Sequence, residues 1–348
     1  MEEIRAVRLT EEDELFILDQ RKLPQEEVYI VTRDYREVIY AIRTLAVRGA
    51  PLIGIAAGYG VYLAIKELGD NISFDDFYRS FTRVKEEFAN SRPTAKNLFF
   101  VLDLVDRLIM ENRILPVRKL KSKIRAFVMK IEEKEKEASF RISEFGSRLI
   151  NKKSRILTHC NTGSLATSGL GTALGIIKMA WKSGLVDMVF VDETRPLLQG
   201  ARLTSWELEK LGIPYRIVTD NMVGYLMSKG LVDYVIVGAD RITKRGDVAN
   251  KIGTYVLAVL CNYHSIPFIV AAPTSTFDFS IEKGEDIVIE HRNEEEILSL
   301  AGCRIAPSGA RAMNPAFDVT PSRLVSFIVT EKGVLEPPFE ENIERLVL

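Results

Sequence analysis

Two strand ends in this sequence carry groups able to do acid/base chemistry. The run Arg155-Ile156-Leu157-Thr158-His159-Cys160 ends on a thiol and then turns through Asn161-Thr162-Gly163 toward a helix. A second run, Tyr234–Gly238, continues through Ala239 to the carboxylate of Asp240. Ligands of open α/β sheets bind outside the carboxyl ends of the strands, so a thiol and a carboxylate delivered there are candidates for a catalytic pair. Each has a plainer reading. A free cysteine is usually an inert, buried small hydrophobe. Against that, Cys160 precedes small polar residues that can start a helix, and a helix N-terminus lowers a thiol pKa. Asp240 follows apolar Val235, Val237 and Ala239, surroundings that raise a carboxyl pKa and keep it protonated. Its competing role is to cap a turn with Arg241. His159 alternates with Cys160, which turns it to the opposite face of the strand and favours packing. Cys261 and Cys303 have no comparable setting and read as structural.

Three further segments have the makings of anion sites. Arg48-Gly49-Ala50-Pro51 leads into a small-residue helix from Leu52 to Gly58. Proline in the first turn leaves the amides ahead of it exposed, and Arg48 adds a fixed charge. Arg92-Pro93-Thr94 repeats the arrangement at the next helix start, and Asn250-Lys251, after Gly246-Asp247, reads as the opening of another helix. Each alone is a weak signal. Together they suggest a phosphorylated small molecule held by several arms. The glycines from Gly169 to Gly175 look like a dinucleotide fingerprint, but such glycines form the turn directly after the strand. Here they lie well beyond Cys160, inside a helical pattern, and Leu174 occupies the position that needs Gly or Ala. Close helix packing explains them better.

The elements that must position these residues fall into two rhythms. Helical spacing of apolar residues runs through 34–45, 54–68, 74–91 and 95–112, with Pro93 as a breaker and a few short strands near the start. From Val117 to Ile150 the pattern is helical and charged; the Glu-rich run Ile131–Glu137 reads as a solvated face carrying i,i+4 pairs. After residue 150, strands 155–160, 188–192, 215–220, 234–238, 268–272 and 325–330 are predicted. Helices separate the first five, and an irregular stretch precedes the last. This alternation implies a parallel sheet with helices on both faces. The expected organisation is α/β: a mostly helical N-terminal domain (1–120), a connecting helix (121–150) and a Rossmann-like catalytic domain (151–348).

Composition narrows the function classes. A chain of 348 residues is too long for one ordinary core, and 47% hydrophobic with 27% charged residues describes a globular protein. A net charge of −1 gives no reason to expect nucleic-acid binding. Three scattered cysteines form neither a disulfide framework nor a paired metal spacing, and with three histidines a zinc site would need carboxylates. No metal is expected. The start Met-Glu-Glu-Ile-Arg lacks the apolar core of a signal peptide, and no apolar run approaches the ~18 residues of a membrane span. A cytoplasmic enzyme without membrane association is the expectation.

At these residues the chain resembles the 5-methylthioribose-1-phosphate isomerases, aldose–ketose isomerases of methionine salvage. The matching segments are Leu18-Asp19-Gln20 with Leu23-Pro24, Val47–Pro51, Arg92–Ala95 with Asn97, Thr158–Gly163, Asp192–Pro196 with Gln199–Leu203, Thr219–Met222, Gly238–Arg241, Gly246–Tyr255 and Asn314–Pro321. They run in order along almost the whole chain. That family shares a wider group with ribose-1,5-bisphosphate isomerases and with non-enzymatic regulatory subunits of the exchange factor for translation initiation factor 2. The Leu-Asp-Gln segment and the intact Cys160/Asp240 pair favour the methylthioribose enzymes. The resemblance implies conversion of 5-methylthioribose 1-phosphate to 5-methylthioribulose 1-phosphate, with Asp240 as proton donor and Cys160 as the second catalytic group. It implies substrate binding by Arg48, Gly49, Ala50, Arg92, Gln199, Asn250 and Lys251, with Gln199 added by the resemblance alone. It also implies no cofactor and a homodimer.

Overall fold

The computed structural model describes residues 4–93 and 95–347. Thr94, part of the Arg92–Ala95 segment, lies outside the described residues. The chain divides into two compact units, one formed by residues up to Ala138 together with Ser164–Gly169, the other by Ser139–Gly163 together with Leu170 onward.

In the N-terminal unit, β1 (Val7–Leu9), β2 (Leu15–Leu18) and β3 (Tyr29–Thr32) form an antiparallel meander. Helices α1 (Tyr35–Arg43), α2 (Ala50–Lys66), α3 (Phe74–Ala89), α4 (Lys96–Glu111) and α5 (Val117–Ser147) follow, the last of them belonging to this unit as far as Ala138. The starts of α1 and α3 are fixed by caps: the Asp34 carboxylate accepts from the Arg36 N–H, and the Ser73 hydroxyl from the Asp76 N–H. Every residue of α2 from Leu52 to Ile65 is buried, as expected of a helix that is apolar all round. Gly54 lets α4 approach α2, since a Cβ there would stand 2.8 Å from the Asn97 carbonyl oxygen.

The charged run in α5 is not wholly a solvated face. Glu132 is buried, its carboxylate accepting from the Tyr59 hydroxyl and, at 2.7 Å, from Ser168 Oγ. Burial and the neighbouring Glu132 hold the Tyr59 hydroxyl pKa well above its usual value. Charge at this position serves the interior, which a pattern of alternating Glu and Lys does not reveal.

The second unit contains β4 (Ser154–Thr158), α6 (Ala173–Lys182), β5 (Val186–Asp192), α7 (Ser205–Lys210), β6 (Tyr215–Val218), α8 (Val223–Ser228) and β7 (Tyr234–Val237). There follow β8 (Arg241–Thr243), β9 (Val248–Lys251), α9 (Thr254–His264), β10 (Phe268–Ala271), β11 (Phe277–Asp278), α10 (Glu295–Leu298), β12 (Ser299–Leu300) and β13 (Cys303–Arg304). The chain continues with β14 (Phe317–Thr320), β15 (Phe327–Thr330), β16 (Gly333–Leu335) and α11 (Phe339–Val347). Its main sheet has the order β16-β15-β10-β7-β4-β5-β6, parallel throughout except for β16. From the central pair the chain winds outward first through β5 and β6, then the other way through β10 and β15. The order therefore reverses between β4 and β7, which pair Ile156↔Tyr234, Leu157↔Val235 and Thr158↔Ile236.

Alternate residues of these strands feed two cores. Leu157, Val235, Val237, Phe268, Val270 and Ile328 pack with residues of α8, α9 and α11. Ile156, Val189, Val191, Ile236, Ile269 and Val329 pack with α6 and the end of α5. Each such side chain contributes about 1.5–3 kcal/mol on leaving water. The expected mixed α/β architecture with helices on both faces is present. The stretch between Ala272 and Val325 is not irregular, however. It supplies β11 and β14 to a second sheet, β11-β8-β9-β14, and contains the hairpin β12-β13. Strands of two to four residues, several of them polar, are too short to show a period of two. Among the described residues no helix is long and apolar enough to cross a membrane.

Candidate active site

Cys160 and Asp240 follow the two strands between which the sheet order reverses, where ligands of open α/β sheets bind. Cys160 is buried, with a left-handed φ of 61°. Its N–H donates to Thr194 Oγ1 at 2.8 Å, and its carbonyl accepts from Thr204 Oγ1 at 2.6 Å. The expected helix N-terminus is absent at this position: β4 ends at Thr158, turns follow Gly163, and α6 begins only at Ala173. Gly171, at φ 105°, lies in that connection, so the glycines from 169 to 175 are only partly helical. Gly175 does pack closely, since a Cβ there would reach 2.3 Å from Ser143 Oγ.

His159 is buried and hydrogen-bonded at both nitrogens: Nδ1 to Asp192 Oδ2 and Nε2 to the Ile252 carbonyl, each at 2.9 Å. A carbonyl only accepts, so Nε2 carries a proton and a second proton lies between Nδ1 and Asp192. Burial raises the Asp192 carboxyl to about 6, and its Oδ1 is buried without a hydrogen bond. The bond to Asp192 in turn raises His159 despite its burial, so the two side chains hold that proton as a pair. His159 and Asp192, with Asp220, are the described residues near enough to share a cation. In this structure both imidazole nitrogens are committed as above, and Asp220 accepts from the Thr194 and Arg195 N–H groups at 2.8 and 2.7 Å. The cluster reads as a hydrogen-bonded brace.

Asp240 is half-buried, and its N–H donates to the Ala249 carbonyl at 2.9 Å, fastening it to β9. Asn250 and Lys251 end that same strand and do not start a helix. Helix α9 begins at Thr254, and its free amides are taken by Asp318, whose carboxylate accepts from Gly253 N–H at 2.7 Å and Tyr255 N–H at 3.1 Å. The anion at this helix start is therefore internal. Lys251 Nζ donates to the Ala316 carbonyl at 2.9 Å and stands 4.4 Å from the centre of the Phe317 ring. Asn250 Nδ2 donates to Thr254 Oγ1 at 3.0 Å. Gln199 precedes a π-helical turn, Gly200–Thr204, and its buried Oε1 has no hydrogen-bond partner. A buried orphan acceptor costs about 1–3 kcal/mol, so it marks a place where a ligand donor would fit.

In the N-terminal unit, Gly49 caps α2 at φ 95°, a conformation that a side chain resists, and a Cβ there would collide with Ala166 at 2.5 Å. Pro51 has no N–H, and that of Leu52 goes to the Ala166 carbonyl at 3.2 Å. The amides this helix start can offer are those of Gly49 and Ala50. Arg48 beside them is half-buried, as is Arg92 between α3 and α4.

A model of the initiation factor 2 subunit family matches residues 46–337. The chain belongs to that family. Among similar proteins, the methylthioribose-1-phosphate isomerase of Caldicellulosiruptor saccharolyticus is 50% identical over 337 residues, 97% of either chain. That of Thermotoga maritima is 49% identical over 333 residues, 96% of this chain and 95% of its own. Among solved structures, the 5-methylthioribose 1-phosphate isomerase of Pyrococcus horikoshii OT3 superposes with a TM-score of 0.92 at 42% identity, covering 98% of this chain and 95% of the other. The delta subunit of translation initiation factor eIF-2B from A. fulgidus gives 0.87 at 40% identity, covering 99% of each.

Sequence reasoning missed the groups that hold the Cys160 loop: Thr194, Thr204, Lys178 and Glu207. Asn161 Nδ2 donates to Glu207 Oε1 at 2.9 Å, and Lys178 Nζ bonds Glu207 Oε2 at 2.7 Å. A signal was available for Asp192, which ends an apolar strand just as Asp240 follows one. Lys178 and Glu207 carry no such mark, because each sits in an ordinary amphipathic helix pattern.

Proposed function

We propose that this chain is an aldose–ketose isomerase converting 5-methylthioribose 1-phosphate to 5-methylthioribulose 1-phosphate in methionine salvage. The observation that carries the reading is the pair Cys160 and Asp240 at the reversal of strand order, in a chain matched along nearly its full length by relatives of that name.

The substrate carries phosphate on its anomeric carbon, so its ring cannot open by losing a hydroxyl proton. Protonated Asp240 donates to the ring oxygen as the bond from C1 to that oxygen breaks. The hydrogen on C2 then moves to C1, and the C2 hydroxyl becomes the carbonyl, its proton restoring the acid. Cys160 serves either as the base that takes the C2 proton toward an enediolate-type intermediate or as a group stabilising a hydride shift. Neither route calls on a metal or nicotinamide. Arg48 and the Gly49 and Ala50 amides, with Arg92 and Lys251, hold the phosphate, while Gln199 and Asn250 bind sugar hydroxyls. The buried unpartnered Oε1 of Gln199 supports that role.

Residues 151–348, apart from Ser164–Gly169, act as a Rossmann-like catalytic domain, after a mostly helical domain over 1–120 and a connecting helix over 121–150. The chain works in the cytoplasm as a homodimer. An apolar surface on α9 supports self-association: Tyr255, Val256, Val259 and Tyr263 share one side of the helix and are exposed, Tyr263 at 80%.

The likeness to an initiation-factor subunit keeps a second reading in play, a regulatory subunit that binds a sugar phosphate or nucleotide without turnover. One assay separates the readings: purified protein is given 5-methylthioribose 1-phosphate or ribose 1,5-bisphosphate, and product is followed by NMR. Turnover of the first establishes the isomerase. Turnover of the second alone moves the assignment to the bisphosphate enzyme. Turnover of neither favours the binding subunit.

A further inference from the structure

The thiol of Cys160 is carried on a backbone conformation that ordinary residues avoid. Its φ of 61° is left-handed, and so is the φ of 62° at Thr194, a β-branched residue for which that region is an outlier. These two residues bond to each other, Cys160 N–H donating to Thr194 Oγ1 at 2.8 Å. On the other side of Cys160, Thr204 Oγ1 donates to its carbonyl at 2.6 Å. Both threonines are buried. Thr194 is itself fixed: Asp220 accepts from its N–H at 2.8 Å, and its hydroxyl proton goes to the Asp192 carbonyl at 3.0 Å. That leaves the hydroxyl lone pairs facing Cys160. Strain of this kind persists only where the surroundings over-determine it, and it gathers at functional sites.

We propose that Thr194 and Thr204 are positioning residues that hold the Cys160 thiol in its reactive orientation, one gripping its N–H and the other its carbonyl. The proposal rests on the reading of Cys160 as a catalytic group. The two hydroxyls act through the Cys160 backbone. Thr204 ends the π-helical turn that starts beside Gln199, so the grip and a substrate-binding side chain share one short element. Such turns occur frequently at functional sites.

The test compares Thr194→Val, which keeps the branched shape and loses the hydroxyl, with Thr194→Ser, which does the reverse. The same two changes are made at Thr204. Misplacing a reacting group by about 1 Å costs up to ~10²-fold in rate, so each valine variant should lose ~10-fold or more in kcat with KM within about threefold. The serine variants should stay within about threefold of the parent in both constants. A merely structural role would lower the melting temperature without splitting kcat from KM. Valine variants with kcat within twofold of the parent overturn the proposal, as does a folded serine variant as slow as its valine counterpart. If Thr194→Val does not fold by circular dichroism, the pair at Thr204 decides on the same criteria. Cys160→Ser, run alongside, separates the two readings. If it is active, the thiol has no part in the reaction; if it is inactive while the valine variants are fully active, only the grip is wrong.

Discussion

Lys178 and Glu207 meet at 2.7 Å with both side chains out of solvent, 2% and 0% exposed, directly behind the loop that carries Cys160. Two charges so buried attract strongly but have given up hydration, so removing one is far worse than removing both. Lys178→Met should therefore destabilise by about 3–5 kcal/mol, while Lys178→Met with Glu207→Leu should recover much of that loss. Urea midpoints for the single and double variants check this. Equal losses in the two would show that the single variant's cost does not come from stranding the Glu207 charge. Because Asn161 also bonds Glu207, the double variant should remain slow even where its stability returns.

Asp240→Asn removes the proton proposed for the ring oxygen and should cost at least ~10²-fold in kcat in a folded protein. The motivation is its place after β7, beside the reversal of strand order. Retention of more than about half the activity would falsify the assignment of the acid.

Arg48, Arg92 and Lys251 should each contribute roughly 1.5–3 kcal/mol of charge-assisted hydrogen bonding to the phosphate. Alanine at any one should raise KM or Kd by ~10- to 100-fold. Unphosphorylated methylthioribose should be a very poor substrate. Comparable turnover of the unphosphorylated sugar counts against the anion site as a whole.

The three thiols should separate in a labelling experiment. Cys303 is exposed and should react first with no loss of activity. Cys261 is buried in α9, and burial alone pushes its thiol pKa well up, so it should react last. Loss of activity should track modification of Cys160, and saturating substrate should slow it. Mass spectrometry of partly inactivated protein decides the matter: inactivation that follows Cys303 would contradict the proposed role of Cys160.

The His159–Asp192 pair makes stability depend on pH. Both groups hold their protons more tightly than usual, Asp192 rising from 3.8 to about 6 because of burial and His159 rising through its bond to Asp192 despite burial. A group with a raised folded-state pKa stabilises fully below its unfolded value, and that stability is lost as pH rises through the folded value. The parent should therefore lose stability relative to Asp192→Asn as pH rises from about 4 through 6 and beyond. The change is on the order of 2–3 kcal/mol, since each tenfold gain in proton affinity on folding is worth about 1.4 kcal/mol. Denaturation of both proteins at several pH values measures the difference. A difference independent of pH would mean that the pair does not hold the extra proton.

Much of the fold was legible because its long elements obey one period each. The helices from Tyr35 to Glu111 and the six parallel strands lie where apolar spacing put them. The second sheet was not legible. Val248-Ala249-Asn250-Lys251 is a buried strand with two polar residues, and nothing in its pattern distinguishes it from a helix start. The catalytic candidates were visible because they follow apolar strands. Their supports were not, because Thr194 and Thr204 act through hydroxyl–backbone bonds, which leave no trace in hydrophobic spacing. Glu132 is the converse case, a charge in an obviously charged run that nevertheless faces inward.

The segment Ser164–Gly169 belongs to the N-terminal unit although it lies beyond the start of the main sheet in sequence. Leu165 accepts from Gln20 Nε2 at 2.8 Å, Ala166 from the Leu52 N–H at 3.2 Å, and Ser168 donates to Glu132. During synthesis the N-terminal unit therefore cannot complete its interior until the ribosome has delivered Gly169. By then β4 has already been made. Contacts so distant along the chain form slowly, because a long loop must close first. No single cut in the polypeptide yields two self-sufficient fragments. An expressed piece beginning near residue 151 would carry away a strip of the other unit's interior and leave the buried carboxylate of Glu132 without the serine that bonds it.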